Sequence, residues 1–178
     1  MPTPQPGQSK SGPSKPGQAK SGQTSPALTL EVRRTFQAPR EKVFAAWAQR
    51  EQLEKWMCAD QAAHQVIHHR QDIRTGGSYL MEVHDSAKNE VYWGQGVYRE
   101  VTPPEKIVFT WSWTSNTPGG QQLHPDSPET LVTVEFFARG NATEVVLTHT
   151  AFATQKDYND HNHGWNGCFD VLAQLLQP

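Results

Sequence analysis

The feature that most constrains this chain is its last stretch, Thr154 to Leu176, with "HNHGWNGCFDVLAQLL" at its end. At 100° per residue, Tyr158, His161, Trp165, Cys168, Phe169, Leu172, Leu175 and Leu176 fall within about 80° of Trp165 on a helical wheel. Thr154 followed by Asp157 three residues on predicts a capping box at its start. A helix this long with one apolar stripe has to lie across something broad and apolar, and the segments before it read as strands.

Those segments change period. "LTLEVRRTF" alternates, with Leu28, Leu30, Val32, Arg34 and Phe36 on one face, as a half-buried strand requires. "APREKVFAAWAQREQLEKWM" then places Val43, Phe44 and Trp47 on a helical stripe and Leu53, Trp56 and Met57 on a second, which predicts two short helices, with Pro39 at the first helical position. From His64 the pattern is strands and turns. These are "HQVIHHRQDI", "SYLMEVH", "VYWGQGVYREV", "KIVFTWSW" (Ile107, Phe109, Trp111 and Trp113 on one face), "LVTVEFFA" and "EVVLTHT", the last two joined by the hairpin signal "RGN". The order is strand, two helices, six strands, one long helix. Thr114 to Glu129, rich in Pro, Gly and Ser, reads as a long functional or mobile loop.

Residues 1–26 stand apart. They hold six prolines, four glycines and no apolar residue beyond Met1 and Ala19, so they are expected to form a disordered tail ahead of a domain over 27–178. The tail has no apolar signal-peptide core and the chain has no run long enough for a membrane span, which points to a cytoplasmic protein. Setting aside the tail's three lysines leaves the domain at a net charge of about −5, against a nucleic-acid footprint. Cys58 and Cys168 make no disulfide framework.

The motifs "TFQAPREKVFAAW…LEKWM", "DIRTGGSYLMEV", "GVYREVTPPEKIVFTWSW", "LVTVEFF…ATEVVLTH" and "HGWNGCFDVLAQLL", in this order, resemble the activator of heat-shock-protein-90 ATPase homologue-like family of the START-like (SRPBCC, birch-pollen-allergen-like) superfamily. The resemblance covers Leu28 to Gln177. It implies an α+β helix-grip fold, a curved antiparallel sheet wrapped around the long C-terminal helix with two short helices after strand one, enclosing a cavity. It also implies a small apolar or amphipathic ligand. The family's name raises two alternatives: contact with a chaperone as an activator of its ATPase, and, from superfamily members that cyclise or dehydrate polyketides, an enzyme using cavity histidines.

The candidate ligand-binding residues are Tyr79, Phe109, Trp111, Trp113 and Trp165 as aromatic lining, His149 and His161 as polar groups, and Arg34 as an anion donor. Each has a plainer alternative: core packing for the aromatics, hydrogen-bonded core histidines, and for Arg34 a salt bridge to Glu82 or another strand carboxylate. Gly164 and Gly167 each cost the last helix about 1 kcal/mol relative to alanine, so close backbone approach or a bend is expected beside Trp165. No metal site is expected from Cys58, His64, His68, His69, His149, His161, His163 and Cys168. His161 and His163 fall on opposite helix faces, and His64 and His68, of shared strand parity, stand about 13 Å apart. No nucleophile elbow, phosphate loop or cofactor motif occurs, so no catalytic residue or cofactor is assigned. Nothing in the sequence marks an oligomer.

Overall fold

The computed structural model describes residues 28–114 and 127–177. The expected tail over 1–26 and most of the Thr114–Glu129 loop lie outside the described residues. Within them the order is β1 (Leu30–Phe36), α1 (Arg40–Ala48), α2 (Arg50–Leu53), β2 (His64–Gln71), β3 (Ser78–Asp85), β4 (Glu90–Thr102), β5 (Lys106–Thr114), β6 (Thr130–Arg139), β7 (Ala142–Thr150) and α3 (Gln155–Leu175). The described strands form one antiparallel sheet in the order β1-β7-β6-β5-β4-β3-β2. The sheet is a curved open one with the C-terminal helix, a helix-grip arrangement.

The inner face of the sheet is set by alternation. Leu30, Val32 and Phe36 of β1, Val145 and Leu147 of β7, and Val132, Val134 and Phe136 of β6 are all buried in one core, under Phe169 and Leu172 of α3. Phe36 meets Phe169 edge-on at 5.5 Å. Trp47 of α1 is the hub between layers, stacked on Trp165 at 6.1 Å and edge-on to Trp56 at 4.6 Å and to Phe136 at 6.1 Å. Helix α3 opens as its sequence predicts: the Thr154 hydroxyl oxygen accepts the Asp157 amide at 3.1 Å and its O–H donates to the Asp157 carboxylate at 2.7 Å.

Three local expectations are corrected. Pro39 is the N-cap rather than the first helical residue; its ψ of 151° is extended, and its carbonyl accepts the Lys42 and Val43 amides. The second helical stripe is mostly turn, since α2 ends at Leu53, although Trp56 still reaches the core and donates its indole N–H to the Ala46 carbonyl. In β2 the pairing slips between Val66 and His68, so two residues oppose one and the strand's parity reverses. The parity counted from His64 therefore does not carry past Val66, and His69, 2 % exposed, enters the core.

Candidate functional site

A cavity of about 340 Å³ lies between the first half of α3 and the β2–β5 end of the sheet. Its floor is indole and thioether: Trp111 and Trp113 from β5, Trp165 from α3, and Met57 and Met81. Trp111 meets Trp113 at 5.2 Å and 73°, and Trp165 at 5.6 Å and 65°, so the three rings form inclined walls rather than a stack. Gly94 of β4 gives those rings room. A Cβ there would meet Met81 Cε at 3.2 Å, Trp113 Cζ3 at 3.4 Å and Trp111 Cζ2 at 3.7 Å. The mouth is polar, formed by Asp60, His64, Asp160, His161 and the exposed His163.

The two glycines of α3 do different things. A Cβ on Gly167 would lie 2.4 Å from Ala59 Cβ and 3.1 Å from its Cα, so this glycine lets the 57–60 segment close against the helix. A Cβ on Gly164 would have nothing within 4 Å, because Gly164 faces the cavity itself. The helix gives up about 1 kcal/mol of propensity at each, once for close approach and once for open space.

The eight residues singled out in the sequence separate here. Trp111, Trp113, His161 and Trp165 come together around the cavity. Tyr79 and Phe109 instead line, with Trp111, a gap of only about 20 Å³, too small for a ligand, and pack edge-on at 5.8 Å. The Tyr79 hydroxyl is already spent on the Thr110 carbonyl at 2.9 Å. Arg34 is not among the lining residues, and its partner is not Glu82 but Asp170 of α3, at 2.5 Å. The inner face of β1 meets the helix there, so the helix carboxylate is nearer than any strand one.

His149 is inward, as its parity predicts, but its nitrogens are taken. The Trp165 indole N–H donates to Nδ1 at 3.1 Å, which leaves the ring proton on Nε2, 2.7 Å from the Thr130 hydroxyl. That hydroxyl in turn donates to the Trp111 carbonyl at 2.9 Å. The tautomer is thus fixed by its neighbours, and the chain of bonds ties α3 to β7, β6 and β5. Burial, with a smaller contribution from His161, holds His149 down to a pKa of about 3, so it is neutral at any ordinary pH. His149 is a structural histidine beneath the cavity wall rather than part of the lining.

His161 differs. Its Nδ1 lies 2.8 Å from the Asp157 carbonyl, which can only accept, so Nδ1 carries a proton and, in the neutral ring, Nε2 is the acceptor. That Nε2 is buried and has no hydrogen-bond partner among the described residues. Cys58 and Cys168 both line the cavity as buried thiols. Burial pushes Cys58 up to about 11 and Cys168 higher still, which makes them apolar lining rather than nucleophiles. Among the described residues no group of three His, Cys, Asp or Glu is placed to hold a metal ion, and no helix is long and apolar enough to cross a membrane.

The sequence reading missed Met57, Met81, Asp60 and Asp160 as lining. Asp160 falls about 140° from Trp165 on the helical wheel, well outside the apolar stripe, so the wheel gave no sign of it. Met81 and the 57–60 segment depend on tertiary approach and carry no local signal.

Comparison with known proteins bears on this arrangement. The sequence pattern of the activator of Hsp90 ATPase homolog 1-like proteins matches residues 37–177. No curated protein matches the chain. Among solved structures, the AHSA1 protein of Silicibacter pomeroyi superposes with a TM-score of 0.71 at 21% identity, covering 84% of this chain and 97% of that one. A Chromobacterium violaceum protein gives 0.68 at 22% identity, over 84% and 97%. CalU16 of Micromonospora echinospora gives 0.62 at 18%, over 88% and 82%. At these identities the likeness is one of fold.

Proposed function

We propose, from the premise that this chain belongs to the activator of Hsp90 ATPase homolog 1-like family, that it binds a small amphipathic molecule in the cavity beneath Trp165. The observation that carries the reading is the open space at Gly164, walled by Trp111, Trp113 and Trp165. A volume of about 340 Å³ is at the lower end of small-molecule sites, and an apolar floor with a few polar groups at the rim is their usual composition. The indoles and methionines take the apolar body, and His161 and its neighbours at the mouth take the polar end.

The enzyme alternative needs two histidines as acid and base. With both His149 nitrogens engaged and its pKa held near 3, only His161 of the pair is free to meet a ligand. Binding without catalysis is therefore the reading the geometry favours.

Octanol, an uncharged amphipathic probe, tests the reading. Titration into the protein is expected to give a saturable change in tryptophan fluorescence, with one octanol per chain retained in native mass spectrometry. A response that only grows linearly up to the probe's solubility, with no retained mass, would contradict it.

A further inference from the structure

We propose that this cavity selects amphipathic ligands with a primary ammonium head and discriminates against carboxylates. The inference rests on the ligand-binding reading above and concerns the chemistry of the polar end.

The charges at the mouth are of one sign. Asp60 and Asp160 line it, and no lysine or arginine does so among the described residues. Lys156 pairs with Asp160 at 2.5 Å, but from outside the lining, with its side chain 81 % exposed. The third nearby carboxylate, Asp85, holds His64 at 3.3 Å and Lys88 at 3.1 Å. A ligand carboxylate entering here would lose its water and find two carboxylates and no lysine or arginine among the described lining residues, which is costly.

The neutral groups point the same way. In the neutral ring His161 Nε2 is a buried acceptor at the cavity edge with no partner among the described residues. Three indoles line the space, and a cation near an indole face is attracted, more strongly when desolvated. The Trp111 Nε1–H is a buried donor with no partner among the described residues; it suits a hydroxyl or ring oxygen, but a single N–H is too little to replace a carboxylate's hydration. A primary ammonium uses the lone pair, the indole faces and the mouth's carboxylates together.

Three probes with one tail separate the possibilities: octylamine (protonated at neutral pH), octanol and octanoate, titrated by tryptophan fluorescence at matched ionic strength. Octylammonium is expected to bind at least about tenfold more tightly than octanoate, a difference of about 1.4 kcal/mol. In a Trp113→Leu variant both probes are expected to bind more weakly, and the ratio of octylammonium to octanol affinity is expected to shrink, since leucine keeps part of the apolar contact and loses the aromatic face; an unchanged ratio would overturn the part given to the indole. If octanol binds and octanoate equals or exceeds octylammonium, the head-group proposal is overturned and the cavity reading stands. If none of the three binds, both fall.

Discussion

A Gly96→Ala substitution is expected to destabilise the domain by about 3 kcal/mol or more, a large share of the stability of an ordinary domain. The cause is an atomic overlap with no escape. A Cβ on Gly96 of β4 would stand 1.8 Å from the Thr110 backbone oxygen and 2.7 Å from Tyr79 Cε1. That oxygen already accepts the Tyr79 hydroxyl, and the Thr110 side chain is bonded to the Val97 amide at 3.0 Å, so neither strand can shift without breaking a buried bond. Gly94→Ala is the control. Its Cβ would meet the flexible end of Met81 at 3.2 Å, and a small change in melting temperature is expected. Thermal or urea unfolding of the two variants reads the contrast; similar losses in both would show that the Gly96 crossing is not as tight as described.

The second large effect is acid lability centred on His149. Its pKa falls from an ordinary value near 6.5 to about 3 on folding, because the folded site cannot hydrate an imidazolium. The unfolded chain therefore binds a proton that the folded chain refuses. Stability from this group is complete above about pH 6.5 and is lost as pH falls toward about 3, at up to about 1.4 kcal/mol per pH unit. Between pH 6.5 and 4.5 that amounts to about 2–3 kcal/mol. His149→Gln keeps an amide donor for Thr130 and an acceptor for Trp165 but cannot titrate. It is expected to cost about 1–2 kcal/mol at neutral pH and to flatten the decline below it, measured by urea unfolding at each pH. Parallel pH profiles for the two proteins would contradict the role given to His149.

Much of the fold was legible because hydrophobic period and turn chemistry act locally. The alternation of "LTLEVRRTF" placed Leu30, Val32 and Phe36 inside, and the capping pair Thr154–Asp157 placed the start of α3. What was not legible came from contacts between distant elements. The bulge in β2 left no turn residue to mark it, so the parity expected to run on from His64 breaks after Val66. Arg34 found Asp170 rather than a strand carboxylate because the helix lies directly over β1's inner face. "WGQG" did hold a readable hint, since glycines two apart inside a strand mark close approach, here of Tyr79 and the indoles over one face of β4. At the site, the helical wheel correctly put His161 inward and His163 outward. It could not say that the inward space at Gly164 was empty while the equivalent space at Gly167 was filled by Ala59.

That difference makes the central claim testable at one position. Gly164→Leu puts a side chain into the cavity and, by removing a helix glycine, is expected to leave the melting temperature unchanged or raised, since the added Cβ meets nothing within 4 Å. The measurement is octanol affinity in this variant beside the wild-type chain. A cavity that receives ligand beneath Trp165 predicts a loss of at least about tenfold, or about 1.4 kcal/mol, in a protein that is no less stable. Octanol bound at wild-type affinity with leucine in place would mean that the ligand sits elsewhere.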